Sequence, residues 1–235
     1  EGEKSGAYIR ELRKKNRERL RDVVVREVQD YRSMAMNLLY QVPLYVPMLA
    51  GKKQNPEAAR EKLVVTILGS GRIGEEIFRN VYWYGQLYDC RLEIHVIARN
   101  ASVMKQSLMR NCEELLKTCN VDGAEADREL LRIWPECSGR SDVNPAYADV
   151  FFRDYDIEEE DFFTEFGGLL RKTHYFAAVL GSDRKNMEIS GELNRWLAKQ
   201  RLGISCDFVP VIACAVFDTR LGDIVMNDGE CEDGG

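Results

Sequence analysis

The run Leu63-Val64-Val65-Thr66-Ile67-Leu68 leads without a charged break into Gly69-Ser70-Gly71-Arg72-Ile73-Gly74. An apolar, β-branched run of this kind reads as a strand buried on both faces, the condition of a strand inside a parallel sheet. The glycines stand at G-x-G-x-x-G spacing, and Ile73, Ile77, Phe78, Val81 and Tyr82 begin a helical pattern inside the turn. A second buried-strand run, Leu92 to Ala98, follows. Strand, glycine turn, helix and strand in this order form the nucleotide-binding unit of a Rossmann-like, doubly wound parallel α/β sheet.

Phosphate binding gives each glycine a physical task. Gly69 takes the backbone angles of the tight turn, Gly71 keeps a side chain away from an approaching pyrophosphate, and Gly74 lets helix and strand pack closely. The unpaired N–H groups and positive dipole end of the helix then face the phosphates, a contribution of up to ~2 kcal/mol in a partly buried geometry. Ser70, Arg72 and Ile73 complete the candidate phosphate turn.

The second strand ends in Ala98-Arg99-Asn100. A site selective for NAD places an acid there to hold the ribose hydroxyls, and Ala98 cannot do so. Two readings of Arg99 stay open: it pairs with a 2′-phosphate, or it is a solvent-facing loop residue. The first makes NADP the expected dinucleotide. NAD and an adenine mononucleotide are the other ligands that the turn admits.

The 235 residues are 45% hydrophobic and 31% charged, as in a globular protein with a substantial core. A net charge of −6 gives no support for nucleic-acid binding. Seven cysteines without a C-x-x-C pair, two of them beside apolar strand runs, suit a reducing cytoplasmic setting. His95 and His174 have no plausible metal-ligand neighbours in sequence, so no metal site is expected.

Residues 1–60 read as an N-terminal arm. Leu12, Leu20, Val24, Val28 and Tyr31 mark a long amphipathic helix from Tyr8 to about Leu39, and Arg13, Lys14, Lys15, Arg17, Arg19 and Arg21 read first as a solvated face and second as a contact for acidic lipid or a partner. Pro43, Pro47 and Pro56 then break helix, and the apolar Leu44 to Leu49 calls for a surface to cover it, so residues 40–60 are expected to drape over the domain. The nucleotide-binding domain spans 61–226. Within it a helix is expected from Ser102 to Thr118, then a polar insertion or lid to residue 145, then strands at Ala146–Phe152, His174–Leu180 and Cys206–Val216. The acids Glu158 to Asp161 suit a helix start, and a further helix is expected over Met187–Gln200. The acidic, glycine-rich residues 227–235 have little to pack and are expected to be disordered.

From Leu63 to about Ile212 the chain resembles the regulator-of-potassium-conductance (RCK, or TrkA-N) family. The match rests on Gly69, Gly71, Arg72 and Gly74, on Arg153-Asp154 after the third strand, and on Gly181, Ser182, Asp183 and Asn186 ahead of the next helix. The resemblance implies that the turn and Arg72 hold phosphates, that Asp154 contacts the adenine side, and that the domain forms homodimers regulating potassium transport through a membrane protein. Ala98, the long 101–145 segment and Arg153 in place of glycine depart from the family pattern. A chain that begins at Glu1 without a signal-peptide pattern reads as a segment of a longer protein, expected in the cytoplasm, and the resemblance implies a membrane region upstream to which it would be tethered. The alternatives are an NADP-dependent oxidoreductase and, third, a purely structural domain whose glycine turn is empty. Such an enzyme often needs a positioned proton donor, and the chain holds no Tyr-x-x-x-Lys pair.

Overall fold

The structure is a computed structural model that describes residues 30–52, 62–87, 90–127, 130–131, 146–201 and 208–216. The first part of the expected long helix, residues 8–29, lies outside the described residues, as do most of the insertion and the acidic tail.

The apolar run from Leu63 to Leu68 lies in strand β1 (Lys62–Leu68) and is buried throughout. The glycine turn feeds helix α3 (Arg72–Tyr84), whose inner face of Gly74, Ile77, Phe78, Val81 and Tyr82 matches the expected stripe. Strand β2 (Arg91–Ala98) pairs parallel with β1, Leu68 opposite Ile97. Beyond it, β4 (Ala148–Asp154) pairs with β2, Ala98 opposite Asp154. On the other side β5 (Tyr175–Ala178) pairs with β1 and β6 (Val211–Cys214) with β5. A two-residue strand, β3 (Asn120–Val121), completes the sheet, giving the order β3-β4-β2-β1-β5-β6 with every pairing parallel. This is a Rossmann-like doubly wound sheet. Strand order reverses between β1 and β5, which places the end of β1 at the switch point.

Period-2 alternation divides the core between the two faces. Leu63, Val65, Ile67, Leu92, Ile94, Val96, Val150 and Tyr175 point to one face. That face is covered by α3, by α1 (Asp30–Gln41) through Ala35 and Leu39, and by α4 (Ala101–Asn111) through Ala101, Met104 and Leu108. Leu68, Ile97, Phe176 and Ala178 point to the other. There they meet the short helices α6 (Phe162–Glu165) and α7 (Gly167–Leu170) and the long α8 (Asp183–Arg201). Two polar contacts lock the layers. Thr66 and Thr173 share a 2.8 Å hydroxyl hydrogen bond, and the Tyr175 hydroxyl donates to the Val42 carbonyl at 3.0 Å, tying the sheet to the segment after α1.

Several elements differ from expectation. Val46–Lys52 is a helix, α2, despite Pro47. The proline sits in the first turn, where an N–H has no intrahelical partner anyway. Leu44 and Met48 are buried in the chain's own core while Tyr45 and Leu49 stay exposed, so the apolar stretch is covered in part without a second molecule. The helix expected over Ser102–Thr118 breaks at Cys112 (φ −151°, ψ 50°) into α4 and α5 (Glu113–Lys117). The break turns the adjacent Leu115 and Leu116 both inward, which neighbouring positions 100° apart on a straight helix do less well. The third strand ends at Asp154 rather than Phe152, and α8 starts at Asp183 rather than Met187. Asp183 and Asn186 therefore belong to a helix's first turn. The acids Glu158 to Glu160 precede α6 instead of opening it, with Asp161 at its N-cap position.

Candidate functional site

The carboxyl ends of β1, β2, β4 and β5 lie side by side, and nearly every candidate residue gathers along that edge. At its centre the glycine turn is held from both sides. The Gly69 N–H donates to the Ile97 carbonyl at 3.0 Å, and the Val179 N–H donates to the Leu68 carbonyl at 2.8 Å.

The three glycines have different reasons to be glycine. Gly69 has φ +123°, and a Cβ there would stand 2.3 Å from the Val179 carbonyl oxygen. A Cβ on Gly74 would stand 2.4 Å from the Gly69 oxygen. Chain packing alone excludes side chains at both. Gly71 is extended (φ −70°, ψ −178°), and a Cβ there would meet nothing within 4 Å. It faces open space as the N-cap of α3, without a side-chain cap on the helix's free N–H groups. Glu75, an acid in that first turn, is turned aside: it is paired with Arg79 and accepts a 3.0 Å hydrogen bond from the Ser107 hydroxyl. Ser70 is half-buried in the turn and Ile73 packs against the core. The Arg72 guanidinium lies over the Tyr31 ring of α1, 5.6 Å from its centroid, a cation–π contact that ties the turn to the N-terminal helix.

At the end of β2, Ala98 is buried and its carbonyl accepts the Tyr155 N–H at 2.9 Å. Asn100 occupies the N-cap position of α4 but makes no side-chain cap. Asp154 supplies it instead, accepting the Ser102 N–H at 2.8 Å, and hydrogen bonds from the Ser102 backbone and hydroxyl hold its carboxyl below the usual range. Arg99 is neither alone nor bare: Nη2 lies 2.7 Å from Asp156 and 2.7 Å from Glu158, and Lys185 of α8 reaches the other Glu158 oxygen at 2.5 Å. Asp156 and Lys185 are not singled out from sequence, and Glu158 reads there only as part of a helix start. Their signal is available only once β2 and β4 are known to be neighbours.

After β5 the chain turns through Gly181 (φ +91°), and Ser182 opens α8, its hydroxyl accepting the Lys185 N–H at 3.3 Å. Asp183 is half-buried in the first turn. Asn186 is fully buried and acts as a clamp. Its Oδ1 accepts the Leu180 N–H at 2.5 Å, and its Nδ2 donates to the Ala215 carbonyl at 2.7 Å, joining the ends of β5 and β6. Asn186→Ala leaves a buried N–H and a buried carbonyl unpaired, so a loss of about 2 kcal/mol is expected in urea unfolding. Unchanged stability would show that the clamp is dispensable.

Beside this edge a cleft of about 460 Å³ opens between residues 157–163 and α8, with Ile157, Phe163, Leu180 and Ile189 as its apolar wall. Glu158, Glu159, Glu160, Glu188 and Glu192 line it, against Lys185 as the cation. Such an acidic surface repels phosphate. Among the described residues no group of His, Cys, Asp and Glu is arranged to hold a metal ion, and no helix is long and apolar enough to cross a membrane. Cys112, Cys119 and Cys214 are thiols outside any disulfide. No family model matches the chain, and no curated protein matches it.

Proposed function

We propose that the chain is a regulatory module that binds an adenine nucleotide, NAD or NADP, with the phosphates at the Gly69–Gly74 turn, in the manner implied by its motif resemblance to RCK/TrkA-N domains. The observation that carries this reading is Gly71. Packing explains Gly69 and Gly74 but demands nothing at Gly71, whose bare backbone leaves room for a phosphate before uncapped N–H groups at the switch point of the sheet.

A sensing role, rather than turnover, is favoured by how the two histidines are used. His95 stacks on Phe151 and is hydrogen-bonded to Glu93 at 2.7 Å, while His174 Nδ1 accepts the Val64 N–H at 3.2 Å. Both rings serve the sheet rather than the carboxyl edge. Arg72 on Tyr31 offers a route by which a phosphate at the turn alters the N-terminal arm. The exposed Met36, Tyr40, Tyr45, Leu49, Trp83 and Tyr84 favour a homodimer whose arms act on an upstream membrane region. Differential binding of 1–3 kcal/mol between two arrangements, roughly the usual coupling range, suffices for such a switch.

A calorimetric screen of NAD, NADP, ATP, ADP and AMP against the chain tests the reading. Saturable binding of at least one is expected. No binding by any of the five removes it.

A further inference from the structure

The ion pairs that join Arg99, Asp156, Glu158 and Lys185 link the ends of β2 and β4 to the start of α8. Their side chains are 29–59% exposed, so the pairs add little stability. They matter for what they present to a ligand. In a sheet of this order the adenosine ribose falls at the end of β2, where Ala98 provides only a methyl group. The hydrogen bond from the Tyr155 N–H to the Ala98 carbonyl fixes the start of the β4 loop against that end and holds Asp156 beside Arg99.

A 2′-phosphate carries nearly two negative charges and needs an available cation. Arg99 is already met by two carboxylates, and displacing them would leave Asp156 and Glu158 facing the phosphate dianion. A ribose hydroxyl makes no such demand. Asp156 Oδ1 accepts the Glu158 N–H at 3.1 Å and Oδ2 takes Arg99, so each oxygen retains a second lone pair for an O–H donor.

Resting on the nucleotide reading above, we infer that Asp156 supplies from β4 the ribose acceptor missing at position 98, and that Asp156 and Glu158 together make the site select a free 2′-hydroxyl and reject a 2′-phosphate. This reverses the preference for NADP that Ala98-Arg99 suggests from sequence alone. Arg99 acts as a positioning residue for the acceptor rather than as a phosphate anchor.

Titrating the full chain with NAD, NADP and ADP by calorimetry tests it. NAD is expected to bind at least tenfold more tightly than NADP. The double variant D156N/E158Q, with both carboxylate charges removed from Arg99, is expected to lose NAD affinity and gain NADP affinity, shifting the ratio by tenfold or more, while Asp156→Ala weakens NAD and ADP alike. Thermal melts establish that these surface variants fold, and only the ratio reports selectivity. NADP binding as tightly as NAD, or an unchanged ratio in the double variant, overturns the inference and leaves nucleotide binding standing. No binding of all three ligands overturns the inference, and the nucleotide reading falls with it only if ATP and AMP also fail to bind.

Discussion

Gly71→Val is expected to fold and to lose nucleotide affinity by a hundredfold or more, whereas Gly69→Val is expected to lose the fold itself. At Gly71 the backbone is extended and a Cβ meets nothing within 4 Å, so the cost is that of an aliphatic in place of glycine at a helix N-cap, about 1 kcal/mol. The isopropyl group would nevertheless stand where a phosphate must approach the free N–H groups of α3. At Gly69 a β-branched residue must take φ +123° with its Cβ 2.3 Å from a backbone oxygen that β1 and β5 hold in place. Strain and overlap together should cost about 4 kcal/mol or more, a large share of ordinary domain stability. Thermal melts paired with calorimetry separate the two effects. A folded Gly71→Val chain that keeps wild-type affinity would take the turn out of the site, and a Gly69→Val chain as stable as wild type would contradict the packing described for that turn.

That contrast also marks where sequence reading succeeds and where it stops. The β1–turn–α3–β2 unit was legible because each part carries a local signal: an apolar run, a glycine spacing, and a helical stripe ending in Val81 and Tyr82. Asn120–Val121 carried none, since two residues have no period, and their strand exists because β4 offers an open edge. Pro47 misled because a helix-breaking residue is harmless in a first turn. Ser182-Asp183 was a helix-start signal that the ligand reading of the same residues obscured. Asn186 shows the limit most clearly, since an asparagine ahead of a helix looks like a ligand contact until the β6 end brings the Ala215 carbonyl against it. The partners of Arg99 were hidden for the same reason. Asp156 and Glu158 lie far from it in sequence and reach it only because β2 and β4 are neighbours.

Lowering the pH from 7 to 5 is expected to cost the fold about 2 kcal/mol through His174 alone. Its Nδ1 accepts the Val64 N–H, which requires that nitrogen to be unprotonated, and its ring stacks on Phe208 with centroids 3.9 Å apart. Burial pushes the imidazole down from its ordinary 6.5 to about 4. The folded state therefore binds its proton more weakly than the unfolded chain does. Above pH 6.5 both states are neutral and His174 adds no pH dependence. As pH falls from 6.5 towards 4 the unfolded chain takes up a proton that the fold refuses, at about 1.4 kcal/mol per pH unit, and below about 4 the loss levels off. Glu93 acts in a lower window. Burial pushes its carboxyl up, but hydrogen bonds from His95 and Lys62 outweigh burial and bring it from 4.5 to about 2, so its contribution holds above 4.5 and is lost only as pH falls towards 2. The interval between pH 6.5 and 4.5 thus isolates the imidazole from that carboxylate. Urea unfolding of wild type and His174→Gln at pH 7 and pH 5 measures the term, since the glutamine amide can still accept the Val64 N–H but takes up no proton. Wild type should lose about 2 kcal/mol more than the variant across that interval. Equal losses in the two proteins would show that His174 is protonated in the folded chain as readily as in the unfolded one, and the Val64 contact would then have to form without Nδ1.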